Sequence, residues 1–195
     1  FFQKYNIYNL IFAIAATNQI EKNTFLKKDI IESLILPKGR AKMITKKKKN
    51  ILVDYAHNLG GMKAVIKSVS NIYENLVIVY GCGGERDNSD RERMMQFASN
   101  NSRKVIFTSD NSRSESFQSI LDDSKKDHEY SNLIVESDRK QAIKLGLELI
   151  KENEILLILG KGHEEFQEIK GTKIPFNDQR AVSYTHLTLP TTSCV

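Results

Sequence analysis

Apolar and polar positions along this chain change period several times, and each change marks an element. From Asn9 to Asn18, Leu10, Ile11, Ile14 and Ala15 recur at helical spacing, and a second helix is expected around Phe25 to Leu34. Pro37 and Gly39 then break the pattern and mark a domain boundary. Beyond it, short apolar runs rich in β-branched residues alternate with stretches of helical spacing. Strands are predicted at Ile51 to Asp54, Leu76 to Tyr80, Val105 to Thr108, Leu133 to Val135 and Ile155 to Leu159. Helices are predicted at Gly60 to Ile72, Ser89 to Ser99, Ser114 to Ser124 and Arg139 to Lys151. A strand that is apolar on both faces has no side to give to water. The expected fold is therefore α/β, a Rossmann-like, mostly parallel sheet with helices on both faces. Phe166 to Ile169 and Lys173 to Pro175 flank Gly171 and predict a terminal hairpin.

The last stretch, Val182 to Thr192 (VSYTHLTLPTT), departs from this pattern. It resembles the in-frame translation of a transposase-based sequencing adapter. Residues 182–195 are therefore read as a non-native tail, and His186 and Cys194 are set aside with it.

Composition adds little beyond exclusions. A hydrophobic fraction of 40% and a charged fraction of 27% describe a globular protein. No apolar run approaches the roughly 18 residues of a membrane span, and Leu10 to Ala16 lacks the charged leader of a signal peptide. Two cysteines, Cys82 and Cys194, make neither a disulfide framework nor a CxxC pair. A cytoplasmic, monomeric protein without membrane insertion is expected. Much of the net charge of +5 comes from Lys46 to Lys49, a run between apolar stretches that reads as a solvated hairpin turn. No aromatic residues interleave with it, so no nucleic-acid partner is expected.

Candidate chemistry gathers where strands end, the place at which open parallel sheets bind ligands. Four strand candidates run into Asp54-Tyr55-Ala56-His57-Asn58, Gly81-Cys82-Gly83-Gly84-Glu85-Arg86-Asp87, Ser109-Asp110-Asn111-Ser112-Arg113 and Gly160-Lys161-Gly162-His163-Glu164. Each loop has a bland explanation: glycines turn chains, Asp54 can cap a helix, and lone histidines such as His57 and His163 are commonly structural. Their convergence carries more weight than any one loop. There is no Walker A motif, hence no usual grip on a triphosphate.

In that order and spacing, VDYAHN, GCGGERD, SDNSR and GKGHEEFQ resemble the C-terminal domain of the MurE branch of the Mur ligases. YNIYNLIFAIAA resembles the end of the family's central ATPase domain, and PKGRAK its interdomain motif. The resemblance divides the chain into a remnant of the ATPase domain (1–35), a Mur ligase C-terminal domain (36–181) and the tail. It implies an ATP-dependent ligase that activates the terminal carboxylate of UDP-MurNAc-L-Ala-D-Glu as an acyl phosphate. The amine of meso-diaminopimelate then attacks it. Asn6 and Asn9 are implied beside adenine, Arg40 near the nucleotide phosphates and Asp54 at the ribose. Arg86, Asp110, Asn111, Arg113, Gly160 and Glu164 are implied in the amino-acid pocket, the two arginines meeting a distal carboxylate that L-lysine lacks. Ser112 stands where the family motif has proline, which leaves that loop less constrained. The catalytic lysine and the Mg²⁺ ligands are expected outside this chain, and the chain alone is expected not to turn over. A lysine-adding MurE, another Mur-family ligase such as MurF or folylpolyglutamate synthetase, and a non-catalytic Rossmann-like binding module remain the alternatives.

Overall fold

The computed structural model describes residues 4–20, 39–46 and 48–184. The chain divides into two compact units, Phe1–Pro37 and Lys38–Val195. In the first, helix α1 (Lys4–Ile20) buries Asn6 and exposes Ile7, Tyr8, Ile11 and Phe12. The helix expected around Phe25 to Leu34 lies outside the described residues.

The second unit carries strands β1 (Lys42–Lys46), β2 (Lys49–Asp54), β3 (Asn75–Tyr80), β4 (Lys104–Phe107), β5 (Leu133–Val135) and β6 (Glu154–Leu159) in one sheet. Their order is β1-β2-β6-β3-β4-β5. All neighbours are parallel except β1 and β2, an antiparallel hairpin whose last pair is Lys46 with Lys49. Lys48 turns that hairpin at φ 62°. Among the described residues this unit also has five helices: α2 (Leu59–Val69), α3 (Arg91–Asn100), α4 (Phe117–Lys125), α5 (Arg139–Leu149) and α6 (Asp178–Tyr184). A small hairpin, β7 (Phe166–Ile169) and β8 (Thr172–Pro175), stands apart from the main sheet.

The continuously apolar strands do what their composition requires. Ile51, Val53, Val79 and Ile158 pack with Ala142, Ile143 and Leu147 of α5 and with Val182 of α6. Tyr80 and Phe107 meet edge to face, Phe107 also meets Phe117 of α4, and the Tyr80 hydroxyl reaches Met95 Sδ of α3. Helices therefore cover the sheet on both sides, as its apolar strands demand. Asn58, Ser116 and Asp138 cap α2, α4 and α5 through side-chain oxygens, each satisfying an N–H that the helix leaves unpaired.

Two elements were not expected as a strand or helix, although the hairpin turn expected at Lys46 to Lys49 is the one that joins β1 to β2. Strand β1 has only Met43 and Ile44 as strongly apolar residues, and it forms because β2 offers an edge to pair with. Helix α6 runs through Tyr184 with Val182 fully buried, so the fold uses residues that the sequence pattern sets apart as tail.

Candidate functional site

Register brings the polar loops to one edge. Asp54 at the end of β2 pairs with Leu159 at the end of β6, Val79 pairs with Ile158, and Tyr80 pairs with Phe107. The chain leaves β2, skips a position to β3, and returns to fill the gap with β6 only after β4 and β5. A crevice opens at such a reversal beyond the carboxyl ends of the strands. A cavity of about 320 Å³ lies here, lined from all four strand-end loops. Arg86, Asp110, Asn111, Arg113, Gly160 and Glu164 all line it.

The loops after β3 and β4 are fastened together. The Gly84 N–H donates to the Asn111 carbonyl at 2.9 Å, and a Cβ on Gly84 would clash with the Ser112 carbonyl, so only glycine permits this approach. Glu85 and Glu115 accept across the junction, from Ser114 and from the Glu85 amide respectively. Arg91, 3% exposed, ties the same place from below. It donates to both Glu115 oxygens (2.9 and 3.0 Å), to Asp123 (2.8 Å) and to the Gly83 carbonyl (3.0 Å). Burial works against its charge, but these acceptors outweigh it and hold its pKa above the ordinary value.

This fastening fixes two arginines of different standing. Arg113, at φ 51°, donates to the Gly84 carbonyl and lies 3.8 Å from Glu168, so its guanidinium is partly committed. Among the described residues nothing pairs with the guanidinium of Arg86, which is exposed at the cavity. A free planar cation beside a second one suits a carboxylate. Ser112 is buried, and its amide donates no hydrogen bond among the described residues, so the serine here costs the loop no backbone partner.

The same cavity holds two acids. Asp110 accepts from the Asn111 amide at 2.6 Å through Oδ1, while its buried Oδ2 has no hydrogen-bond partner among the described residues. Gly160, at φ 113°, sits against that oxygen; a Cβ would clash with it. Glu164 accepts from Lys161 Nζ (2.7 Å) and Asn111 Nδ2 (2.9 Å). Burial raises the Glu164 pKa, but hydrogen bonds from Lys161 and Asn111, with the nearby cations, outweigh it and keep it below the usual carboxylate range. Cys82 also lines the cavity, yet burial pushes its thiol up to about 12, which removes it as a nucleophile.

The residues expected at a nucleotide are divided between the two units. Asn6 is buried on α1, with Nδ2 lacking a partner among the described residues, and Asn9 is exposed; both belong to the other unit. Arg40 is exposed, its guanidinium 5.4 Å from the centre of the Tyr55 ring, which also packs on His57 and His163. Asp54 is buried and accepts from the Ala41 and Ala56 amides at 2.7 and 2.8 Å. It holds the segment before β1 against the end of β2. Sequence reasoning missed Lys161, Arg91 and Arg139 because their types predict exposure. Only the position of Lys161 between two glycines after a strand hinted otherwise.

Residues 39–162 match the family described as Mur ligase, glutamate ligase domain. The chain is 37% identical over 190 residues to the UDP-N-acetylmuramoyl-L-alanyl-D-glutamate–2,6-diaminopimelate ligase of Helicobacter pylori, covering 95% of this chain and 41% of that one. A solved structure of a ligase of the same name superposes with a TM-score of 0.74 at 34% identity, covering 95% of this chain and 39% of that one. The folylpolyglutamate synthase of Mycobacterium tuberculosis, complexed with ADP and AMPPCP, shares the fold with a TM-score of 0.63 at 14% identity, over 81% of this chain and 38% of that one. The chain thus spans about two fifths of the length of the proteins it matches.

Proposed function

The chain belongs to the Mur ligase family, and on that premise we propose that it forms the amino-acid-binding part of an ATP-dependent ligase. That ligase joins meso-diaminopimelate to UDP-MurNAc-L-Ala-D-Glu in the cytoplasm. The observation that carries the reading is the lining of one cavity, which holds two arginines, Arg86 and Arg113, together with two acids, Asp110 and Glu164. A distal group with both carboxylate and ammonium matches that mixture of charges. L-Lysine has no distal carboxylate and leaves the arginines unanswered. Sites built around a polar group reject analogues lacking it by factors of about 10⁴ to 10⁵.

The part of this chain in the reaction is positioning. It holds the distal end of the amino acid so that the other amine is presented to an activated carboxylate. ATP, as substrate, supplies the phosphoryl group for that activation. Arg40, exposed on Tyr55, fits a phosphate contact. Asp54 fits the ribose less well, because backbone amides already occupy its oxygens. The Mg²⁺ and the catalytic lysine belong to the larger protein, and the chain alone does not turn over.

The test measures ATP-dependent joining of meso-diaminopimelate or L-lysine to UDP-MurNAc-L-Ala-D-Glu by a longer protein carrying this sequence. Binding of both amino acids to the chain itself is measured beside it. Preference for diaminopimelate is expected, and Arg86→Lys should weaken its binding about tenfold to a hundredfold by removing the bidentate contact. Preference for lysine would keep the ligase and discard the two-arginine reading. A folded protein that binds but never joins would point to the non-catalytic binding module.

A further inference from the structure

Lys161 is fully buried, and lysine side chains are rarely so without paired charge. Its Nζ donates to Asn111 Oδ1 at 2.8 Å and to Glu164 Oε2 at 2.7 Å, and lies 5.9 Å from the centre of the Phe166 ring. Asn111 Oδ1 takes a second donor, the Glu168 amide, at 3.0 Å. Two donors on one side settle which end of the Asn111 amide is oxygen. Nδ2 therefore faces Glu164, where it donates at 2.9 Å. Glu164 Oε2 thus receives two hydrogen bonds, while Oε1 receives none among the described residues. The Asn111 oxygen is likewise used up within the protein.

We propose that Lys161 is the positioning residue of this cavity. It locks Asn111 and Glu164 in the orientation that leaves one Glu164 oxygen for the ammonium of an amino-acid ligand. Asn111 then acts on Glu164 through one N–H of Nδ2, and the other N–H is its remaining group for a ligand. The ligand half of this inference rests on the amino-acid reading of the cavity; the orientation half does not. Lys161 and Asn111 both donate to Oε2, and the ligand meets Oε1.

The test compares binding of meso-diaminopimelate with that of pimelate, which keeps both carboxylates and lacks both amines, to the full chain. Lys161→Met should weaken diaminopimelate about tenfold to a hundredfold and leave pimelate within twofold. Glu164→Gln should do the same. In the Glu164→Gln background, Lys161→Met should then change diaminopimelate affinity by less than twofold, because both act through one contact. That double variant removes both charges together, so it keeps the comparison available if Lys161→Met alone fails to fold. Equal weakening of both probes, or a further large loss in the double variant, would overturn the proposal. The Glu164 carboxyl, followed by carbon-13 NMR without ligand, separates the two premises. If wild type binds neither probe, the amino-acid reading falls. A Glu164 that titrates alike in wild type and Lys161→Met overturns the positioning role whatever binds.

Discussion

At the scale of single residues, the cavity depends on places where a side chain is absent as much as on those where one is present. Gly160 holds φ 113°, and the space a Cβ would need belongs to Asp110 Oδ2. Gly160→Ala is expected to fold with some strain and to lose diaminopimelate binding by tenfold or more, because the methyl displaces a cavity-lining carboxylate. Calorimetric titration beside a melting curve checks both halves; unchanged affinity would remove Gly160 and Asp110 from the site. Arg86, Arg113 and Glu164 were legible in the sequence as charged residues in loops that follow strands. Lys161 was not, although it stands in the same motif. Residue type says a lysine belongs in water, and only the packing around Phe166 and Asn111 says otherwise.

At the scale of elements, one buried ion pair ties the site to its scaffold. Arg139, the first residue of α5, donates to Asp178 of α6 at 2.8 and 2.9 Å and to the Leu159 carbonyl at 2.9 Å. Its Nη1 lies 3.9 Å from Asp110 Oδ2. Helix α6 is thereby held under the end of β6, beside the cavity. Asp178→Ala should cost about 3–5 kcal/mol by leaving a buried guanidinium without its partner. Arg139→Met with Asp178→Leu should cost less than Asp178→Ala alone, since the orphaned charge goes too. Urea unfolding of wild type and the two variants decides this, and a double variant no more stable than Asp178→Ala would refute the clamp. Strands β2 to β6 were legible because each is a run of apolar residues. Strand β1 was legible only through the lysine turn that follows it, and helix α6 was not. One borrows its pairing from a neighbour, and the other is seven residues held by Arg139 and the core.

At the scale of the whole molecule, several carboxylates join distant parts of the sheet. Glu154, at the start of β6, has its pKa raised by burial but lowered further by Arg103, which stands before β4 and bonds both its oxygens at 2.7 Å. Glu164 is held low in the same sense, and Glu115 is lowered chiefly by its hydrogen bond from Arg91. A carboxylate whose folded pKa is depressed contributes its full stability above the unfolded value and loses it as pH falls through the folded one. The melting temperature should therefore hold steady down to about pH 4.5, the ordinary value for these groups, and fall below it. Glu154→Gln should lower the plateau and shrink the acid-dependent part. A melting temperature that rises on acidification would contradict the sign.

The sequence by itself determined that the strands are buried on both faces, that helices separate them, and that four polar loops follow them. These follow from local rules, since the period of apolar residues and the position of glycines are properties of short segments. Family membership was legible for the same reason, because its motifs are local strings. Tertiary structure alone decided that β6 enters between β2 and β3, which sets the loop after β6 beside those after β2 and β3. Tertiary structure alone also buried Lys161, Arg91 and Arg139. Strand order and the pairing of buried charges depend on residues far apart in the chain, whose meeting is settled by packing and mutual desolvation rather than by any short pattern.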